Sequence, residues 1–467
     1  MDQEKSRSRF WHDLAVRSVK LLNILLVCVP FAYIWQVYYS KQVYGGEFPL
    51  TGNLAIVLVY VLLYAICTRT YDAFQISQVR KSELFFSQLI AIVLTDTVSF
   101  IVIFALLRSL PDLFMFIACV MLQILISLIW CLTVAPLYFR IFKKRKAVVI
   151  YDSIHNLNEI TKHVMFTRSY ELLGAYDIDE VKASPENERV RWLIDRIKGA
   201  QVVFVMEIPS HERNIILKYC VENSISCYDE PKIGDILMRS SKQFYMYNLP
   251  MVLVERYYPS PEYMLIKRLI DIIMASVAFV ILIPISLILV LAIKIDDGGP
   301  VIYRQKRLTK NGRVFNMYKF RSMRLDAEKD TGAVLSSGKN DPRITKIGRF
   351  MRKTRLDELP QLINIIKGDM SLVGPRPERP EIAERYAKDL PEFRLRLQVR
   401  AGLTGYAQVY GRYDSDPYDK LCMDLHYIAN AGFVEDLRIM FVTFKRILFK
   451  EPEGCVDAGN GMEEEDD

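Results

Sequence analysis

Two adjacent acids, Asp357 and Glu358, stand in the most informative string of the sequence, Arg352–Asp369. The pattern predicts a helix that begins near Asp357, with Pro360 tolerated in its first turn. The free amides at such a helix end favour a bound phosphate. Neighbours on a helix point about 100° apart, so one acid can attack phosphorus while the other holds a metal or a proton. The spacing alone favours a structural alternative, in which Asp357 caps the helix.

A dense basic stretch precedes the two acids. Residues 301–356 contain sixteen Lys and Arg and four acids, a local net charge of +12. Arginine forks match phosphate oxygens, so the stretch predicts a site for phosphorylated ligands. Attraction to anionic lipid headgroups is a second, compatible interpretation. The candidate ligand contacts in this stretch are Arg304, Lys319 and Arg321. Asn311-Gly312 separates the β-like runs Val301–Arg307 and Val314–Phe320, which predicts a hairpin that presents some of these charges.

The cysteines and histidines argue against other kinds of site. The chain has eight Cys and five His, with no Cys-x-x-Cys and no His-x-x-x-His pattern. A zinc site or a disulfide scaffold is therefore not indicated. Four cysteines lie in or beside apolar runs, as buried small residues do: Cys28, Cys67, Cys119 and Cys131. Any metal is expected to be a hard cation bound by oxygen.

The composition indicates a membrane protein. Of 467 residues, 51% are hydrophobic and 25% charged, which excludes a disordered chain and argues against an ordinary soluble enzyme. The net charge of +7 is mild, and we expect no nucleic-acid partner. Four apolar runs stand out: Leu21–Tyr38, Leu54–Cys67, Phe85–Leu107 and Phe114–Leu137. Because a spanning helix needs ~20 mostly apolar residues, we predict a four-helix transmembrane domain over residues 1–146. The first run lacks a small-residue cleavage site, so we expect a retained helix.

Loop charges predict the orientation of these helices. Basic residues cluster before the first run, between the second and third runs and after the fourth. The other two loops offer only Lys41 and Arg108. The positive-inside rule therefore places both ends of the bundle in the cytoplasm. Asp96 is the one ionisable residue predicted near mid-span; we favour a polar contact between helices over a transport role.

Residues 147–250 have the pattern of a small α/β domain. The predicted strands are Ala147–Tyr151, Tyr170–Tyr176 and Val202–Met206, and the predicted helices are Asn156–Met165, Glu188–Lys198 and His211–Asn223. This alternation predicts a parallel sheet in a Rossmann-like domain. The turn after the first strand, Asp152–Asn156, has no glycine. A backbone without glycine does not approach a pyrophosphate closely, so we expect a structural or regulatory domain.

A fifth apolar run, Leu269–Ile293, is long enough to span but has basic residues on both flanks. If it crossed, the second basic cluster would lie outside, against the positive-inside rule. Pro284 removes an amide donor and kinks a helix. We therefore predict a broken helix over 265–294 that enters and leaves on the cytoplasmic face; a fifth spanning helix is the alternative. Phe433–Lys450 is predicted to be a basic amphipathic helix, either flat on a membrane or packed on the core.

Several strings, taken together and in order over about 262–450, resemble the bacterial sugar transferase family, the monotopic phosphoglycosyl transferases. The strings are Lys267–Asp271, Tyr303–Arg307, Tyr318–Met323, Leu356–Gln361, Lys367–Glu378 and Gly402–Gly405. The four helices and the α/β domain before them make the chain similar to the large members, the undecaprenyl-phosphate glucose or galactose phosphotransferases. Many members have Ser before the proline of the broken helix, whereas this chain has Ile283. That departure removes a hydroxyl that would satisfy freed backbone at the kink.

The resemblance implies a reaction and the residues that carry it. The family transfers a phosphosugar from a UDP-sugar to polyprenyl phosphate and releases UMP. Asp357 is implied to be the nucleophile that forms a phosphosugar–aspartate, and Glu358 to help hold Mg²⁺, so both acids are candidate metal ligands. Arg352 matches the family's phosphate-binding arginine, and Arg376, between prolines, matches the arginine near the nucleotide. The kink of the re-entrant helix matches Pro284.

The resemblance also implies a domain plan and a location. Residues 251–455 form the catalytic domain, and 456–467 form an acidic tail that we expect to be disordered. The enzyme is expected in the bacterial inner membrane, multi-pass, with its catalytic domain facing the cytoplasm, starting a capsule, exopolysaccharide or O-antigen repeat. Membrane lipid and a second copy of the chain are the other expected partners. The alternative function is a membrane scaffold or sensor with an inactive transferase domain.

Overall fold

The computed structural model describes residues 2–43, 46, 48–76, 80–152, 157, 160–161, 164–181, 184–246, 248–324, 343–411 and 416–449. Two compact units, Met1–Glu230 and Pro231–Asp467, make up the chain. The expected acidic tail, 456–467, lies outside the described residues, as do two basic residues and all four acids of the stretch 301–356.

The first unit begins with four long helices: α1, Asp2–Val37; α2, Leu50–Thr70; α3, Lys81–Leu107; and α4, Leu113–Ile141. The four apolar runs are therefore confirmed as helices. Each contains a stretch long and apolar enough to cross a membrane, with mean hydropathy between 1.8 and 2.5. The carboxylate of Asp112 accepts from the amides of Phe114 and Met115, which fixes the start of α4. Exposed apolar side chains line the outside of these helices.

Polar side chains join the helices inside the bundle. The Tyr60 hydroxyl on α2 donates to Asp96 Oδ1 on α3 at 2.8 Å and accepts from Gln123 Nε2 on α4 at 2.8 Å. The Tyr60 ring stacks on Phe31 of α1, with centroids 3.8 Å apart. All four helices therefore meet at Tyr60. The prediction that Asp96 makes a polar contact between helices is confirmed.

A four-stranded parallel sheet completes the first unit. Its strands are β1, Arg145–Tyr151; β2, Tyr170–Asp177; β3, Val202–Met206; and β4, Ser226–Asp229, in the order β2-β1-β3-β4. Its helices are α5, Val164–Ser169; α6, Glu186–Ile197; and α7, Ser210–Glu222. The predicted parallel sheet is confirmed, and β4, only four residues long, was not predicted. Most of the predicted helix Asn156–Met165 and the turn 153–156 lie outside the described residues.

The second unit contains the remaining elements. They are α8, Ile233–Arg239; β5, Lys242–Met246; β6, Leu249–Leu253; α9, Pro261–Asp297; β7, Ile302–Leu308; β8, Val314–Phe320; α10, Lys346–Thr354; α11, Gln361–Lys367; β9, Met370–Val373; α12, Pro380–Asp389; β10, Ala401–Thr404; α13, Tyr406–Tyr410; α14, Pro417–Asn430; and α15, Phe433–Phe449. The antiparallel hairpin β7–β8 confirms the predicted one. The helix α15 packs on the core through buried Ile439 and leaves Phe433 and Phe444 exposed.

The long helix α9 runs through Pro284 without a break, so the prediction of a broken helix over 265–294 is wrong. The proline removes a single amide donor, and the helix continues on both sides of it. The Ser260 hydroxyl accepts from the amide of Tyr263 at the start of α9, and Gly298, at φ 69°, ends it. The helix is long and apolar enough to cross a membrane, with mean hydropathy 3.0. Exposed apolar side chains run along its outer face, among them Leu265, Val280 and Leu291.

Both ends of α9 pack against the same body of the second unit. Near its start, Arg268 donates to the carbonyl oxygens of Ile365 and Ile366, each at 2.7 Å. Asp271 accepts from the amide of Leu372 at 2.9 Å. Near its end, buried Leu289 and Ile293 pack in one cluster with buried Phe320 and Met351. The inner face of α9 is thus attached to one folded body over a length of about 30 Å.

Candidate active site

A sharp change of direction between two helices presents Asp357. The helix α10 ends at Arg355, which has a left-handed backbone at φ 56°. Leu356–Glu358 then form a single 3-10 turn, and α11 begins only at Gln361, with Pro360 as its N-cap residue. The prediction of a helix that begins near Asp357 is therefore wrong by four residues, because the left-handed residue and the 3-10 turn come first. Asp357 does not cap α11, and its side chain is largely buried.

An amide on α11 fixes the hairpin strand beside this turn. The side chain of Asn364 is fully buried; its Oδ1 accepts from the amide of Tyr318, and its Nδ2 donates to the carbonyl oxygen of Asn316. This double contact sets the height of β8 against α11. The next residue along β8 is Lys319, so its ammonium is delivered to the acidic turn. Asn364 was not predicted, because nothing in the residues around it distinguishes it from a surface amide.

Two cations hold the carboxylate of Glu358. Its Oε1 lies 3.0 Å from Lys319 Nζ and 3.4 Å from Arg376 Nη2. Burial alone would raise the pKa of Glu358, but the charges of Lys319 and Arg376 and the Lys319 hydrogen bond outweigh it and lower the pKa to about 2. Burial lowers the pKa of Lys319, against the attraction of Glu358. Glu358 is therefore ionised at every physiological pH.

The neighbouring carboxyl group of Asp357 has the opposite shift. Burial, with the nearby negative charge of Glu358, raises its pKa, and Lys319 and Arg352 oppose the rise. Two adjacent acids with pKa values moved apart by their surroundings suit different roles, and such pairs are typical of catalytic sites. The ionised form of Asp357 faces cations that would also attract a phosphate.

Close backbone packing brings Arg352 to this region. A Cβ on Gly348 would lie 2.0 Å from the carbonyl oxygen of Ser322, so α10 sits directly on the segment that follows β8. Arg352, one turn later, donates from Nε to Ser322 Oγ at 2.9 Å. Thr345 starts the helix by accepting from the amide of Gly348. Neither α10 nor the contact by which Ser322 holds the predicted phosphate-binding arginine was predicted.

The proline-flanked Arg376 lies on a loop whose main chain packs directly against other main chain. A Cβ on Gly402 would lie 2.1 Å from the amide nitrogen of Gly374, and one on Gly405 would lie 2.1 Å from the Gly374 carbonyl oxygen. Only glycine permits this approach. On the other side, Arg307 Nη1 donates to the carbonyl oxygen of Pro377 at 3.0 Å. The guanidinium of Arg376 is itself half exposed and reaches Glu358.

A cleft of about 760 Å³ opens beside Arg376. Its lining combines apolar side chains with polar ones, including Arg256, Thr309, Asn311, Arg376 and Gln398. Arg256 donates to Asn311, which joins the hairpin turn to the entry of α9. A cleft of this size, with a few convergent polar groups, is typical of small-molecule sites.

The two other predicted ligand contacts, Arg304 and Arg321, lie on the hairpin β7–β8 and directly after it. Arg304 lies exposed on β7, with its guanidinium 5.8 Å from the ring centroid of Tyr318. Arg321 is buried at the end of the hairpin, where its guanidinium occupies the space beside the hydrogen-only side chain of Gly299. Their roles as ligand contacts stay predictions.

The acidic pair offers a hard-cation donor set of two carboxylates. Within the described residues, neither Asp357 nor Glu358 belongs to a cluster of three or more acidic, imidazole or thiol ligands. Mg²⁺ commonly takes one or two carboxylates and completes its octahedron with substrate phosphates and water. One oxygen of Glu358 already faces Lys319 and Arg376, so a cation would use its second oxygen. The pair fits Mg²⁺ held jointly with a phosphorylated substrate.

Comparison with known proteins agrees with this chemistry. Residues 262–450 match the family described as "Bacterial sugar transferase". A putative undecaprenyl-phosphate N-acetylgalactosaminyl 1-phosphate transferase of Bacillus subtilis is 49% identical over 136 residues, 29% of this chain and 75% of that protein. A UDP-N-acetylgalactosamine-undecaprenyl-phosphate N-acetylgalactosaminephosphotransferase of Aeromonas hydrophila is 40% identical over 193 residues, 41% of this chain and 45% of that protein.

A UDP-glucose:undecaprenyl-phosphate glucose-1-phosphate transferase of Escherichia coli is also 40% identical, over 184 residues, 38% of this chain and 39% of that protein. The matched segment thus spans less than half of the Aeromonas and Escherichia relatives. The family match over residues 262–450 contains the acidic pair, the three cations around it and nearly all of the helix α9. The chain belongs to the bacterial sugar transferase family.

Proposed function

We propose that the protein transfers a hexose-1-phosphate from a UDP-sugar to undecaprenyl phosphate and releases UMP. The observation that carries this proposal is the pair of buried Asp357 and half-buried Glu358, which faces the three cations Lys319, Arg352 and Arg376. Relatives named for this transfer are 40% identical to the chain over 193 and 184 residues, and residues 262–450, which contain the pair, match the sugar transferase family. The product would begin a capsule, exopolysaccharide or O-antigen repeat on its lipid carrier.

The first half-reaction is attack by a carboxylate oxygen of Asp357 on the sugar-bearing phosphorus of the donor. A bond forms between Asp357 and phosphorus, the bond to the bridging diphosphate oxygen breaks, and UMP leaves with that oxygen. Arg352 and Lys319 face the phosphoryl oxygens, and Arg376 faces the departing nucleotide, with the cleft beside it for the nucleoside. The second half-reaction is attack by the lipid phosphate on the same phosphorus, which frees Asp357 and yields the lipid diphosphosugar.

This division solves a problem of charge. A diphosphate donor and a phosphate acceptor repel each other, and a covalent intermediate lets UMP leave before the acceptor arrives. One anion site, the cations around Asp357, then serves both phosphates in turn. Mg²⁺ bound by Glu358 and Asp357 would neutralise diphosphate charge. Glu358, ionised throughout, keeps Lys319 and Arg376 aligned and assists the lipid phosphate.

The membrane arrangement follows from α9. A lipid-borne acceptor requires a site at the membrane face, and α9 supplies an exposed apolar surface on the catalytic unit. A helix that spanned the bilayer would carry its two ends to opposite sides, whereas both ends of α9 pack on one folded body. We therefore infer that α9 is re-entrant, with both of its ends on the cytoplasmic face, and that α1–α4 span the bacterial inner membrane with the catalytic unit in the cytoplasm.

Single cysteines test the re-entrant helix. Glu262→Cys and Asp296→Cys mark the two exposed ends of α9. In intact cells, an impermeant maleimide should leave both unlabelled, as it leaves Arg80→Cys, and should label Leu110→Cys in the opposite loop. Labelling of Asp296→Cys at the rate of Leu110→Cys would show that α9 crosses the membrane.

We infer that the sheet of the first unit belongs to a Rossmann-like domain.

We also infer that the protein forms a homodimer. The hairpin β5–β6 offers a surface for a second copy, because every residue of both strands is exposed, including Phe244, Tyr245 and Met251. A two-stranded hairpin is barely stable alone, and its open edges can pair with the same strands of a second copy. Cross-linking of Tyr245→Cys across two copies in nanodiscs tests this; a monomer by mass photometry would contradict it.

The test of the activity is UMP release by the full-length protein in nanodiscs, with Mg²⁺ and undecaprenyl phosphate. The relatives' names carry glucose, galactose and N-acetylgalactosamine, so the donors are the three matching UDP-sugars. Release with one donor and recovery of the lipid diphosphosugar would support the proposal. No release with any donor from folded protein would favour the scaffold or sensor.

A further inference from the structure

A buried ion pair contacts the backbone of the loop that carries Arg376. Arg396 belongs to the 3-10 segment Pro391–Gln398, and Asp424 to α14. Their side chains are 4% and 1% exposed, and Arg396 Nη2 lies 2.7 Å from Asp424 Oδ2. The same Nη2 donates to the carbonyl oxygen of Arg376 at 2.9 Å. The pair therefore contacts the backbone of the residue whose guanidinium meets Glu358.

The next two residues of the loop are held in the same manner. Arg307 donates to the carbonyl oxygen of Pro377, and the amide of Leu308 donates to the carbonyl oxygen of Glu378 at 2.9 Å. The Glu378 carboxylate lies between two guanidinium groups, 3.6 Å from Arg396 Nη1 and 3.8 Å from Arg307 Nη1. Three consecutive residues are thus each fixed by a contact from outside the loop.

Stability alone does not account for Arg396 and Asp424. Removing two charges from water costs about as much as their attraction returns, and apolar side chains of the same volume often stabilise as well. A planar guanidinium, however, contacts a carboxylate and a carbonyl oxygen at once, which no apolar pair does. We propose that Arg396 and Asp424 are positioning residues that hold the Arg376 guanidinium between Glu358 and the donor diphosphate. This inference rests on the proposed function.

The charge state of Asp424 makes the positioning sensitive to pH. Burial raises the pKa of Asp424 to about 6, although Arg396 opposes the rise. The other charged groups that face it are Glu378 of the loop and Lys420 of its own helix. As pH falls through about 6, Asp424 becomes neutral, and Arg396 loses this ion pair and keeps the longer one with Glu378. Asp424→Asn has nearly the same shape and is neutral at every pH.

The test uses full-length protein in nanodiscs, as wild type, Arg396→Lys and Asp424→Asn. The control is Arg213→Lys, which changes the ion pair between buried Arg213 and half-buried Asp229, 3.6 Å apart in the first unit. UMP release gives KM for the UDP-sugar and kcat across pH, and hydrogen exchange follows the amides of Gly374–Arg379. Hydrogen exchange reports the loop without requiring turnover.

We expect both variants to raise KM for the donor by about tenfold to a hundredfold, the range for displaced supporting groups, with less change in kcat. The loop amides should exchange faster while the rest of the second unit is unchanged. Wild-type KM should rise below pH about 6, and KM of Asp424→Asn should be high throughout. The control should match wild type.

Two results would overturn the inference. The first is that both variants have the same KM and the same loop exchange as wild type. The second is faster exchange throughout the second unit, which indicates a general stabilising role. Wild-type protein that releases no UMP would sink the proposed function instead. The exchange of the loop amides would still decide whether Arg396 and Asp424 hold the loop.

Discussion

The helical bundle and the catalytic unit each bury an aspartate, and the two carboxyl groups have different neighbours. Asp96 accepts from Tyr60, whose hydroxyl in turn accepts from Gln123, so its surroundings are neutral groups on neighbouring helices. Asp357 adjoins Glu358 and faces Lys319 and Arg352. The first arrangement joins helices, and the second collects charges that a phosphate can use. Burial of an acid thus indicates chemistry only when mobile or substrate-accessible charges surround it.

Exchanging each aspartate for asparagine gives the sharpest test of this difference. Asp357→Asn should lower kcat for UMP release by at least about a thousandfold, because the amide is not a nucleophile. Asp96→Asn should keep activity within about twofold of wild type, because Tyr60 still has an oxygen to which it donates. Rates from matched amounts of folded protein check both. Comparable losses in the two variants would break the comparison.

Glu358→Gln removes the negative charge but keeps the shape of the side chain. We expect kcat to fall by about a hundredfold and the Mg²⁺ concentration for half-maximal rate to rise, because a carboxylate ligand is lost and Lys319 and Arg376 are left without their partner. Magnesium titrations of the steady-state rate measure both effects. Gln88→Leu, a buried polar change in the bundle, is the matched control; an unchanged magnesium requirement in Glu358→Gln would contradict a ligand role.

The dependence of kcat on pH separates the charged groups of the site. Asp357 must be ionised to attack, and burial raises its pKa, so the rate should fall on the acid side at a pH above about 3.9, the ordinary value for Asp. Glu358 does not contribute there, since its pKa is about 2. On the alkaline side, loss of the Lys319 charge should begin below about pH 10.4. Lys319→Arg should move the alkaline limb upward and leave the acid limb in place.

The smallest expected effects are on stability, and they have opposite signs. The folded-state pKa of Asp357 is raised, so its ionised form favours the unfolded state at neutral pH. Asp357→Asn should therefore raise the midpoint of thermal unfolding by about 2–4 °C at neutral pH, with the gain lost below pH about 4. Asp96→Asn should lower the midpoint by a similar amount. A lowered midpoint for Asp357→Asn at neutral pH would show that its charge stabilises the fold.

Patterns over a few neighbouring residues predicted the helices and the turn whose formation depends on interactions between those residues. The apolar runs became α1–α4 and α9, and Asn311-Gly312 became the turn of the hairpin β7–β8, because burial and turn preferences act over a few residues. The motif strings led directly to Asp357 and its cations. The left-handed backbone of Arg355, which displaces the start of α11, was not predicted, because arginine is not a residue type that favours this conformation.

The contacts that position the site were beyond sequence reasoning. Asn364 meets Tyr318 across 46 residues, and Arg396 meets the Arg376 carbonyl across 20. Such contacts depend on how elements pack, which no window of sequence contains. The fifth apolar run combines both kinds of information. Its two basic flanks and Pro284 distinguish it from the other four runs in the sequence, whereas the attachment of both its ends to one body depends on packing.

The seam of Gly374 against Gly402 and Gly405 has a consequence for how this protein can diverge. Main chain touches main chain there, so even alanine at any of the three positions would collide with backbone. Random mutagenesis should return these three codons unchanged among active clones, while neighbouring positions of the cleft vary. New donor preferences would then arise by substitutions in the cleft wall around this fixed backbone contact, and lineages with different sugars would keep the same three glycines.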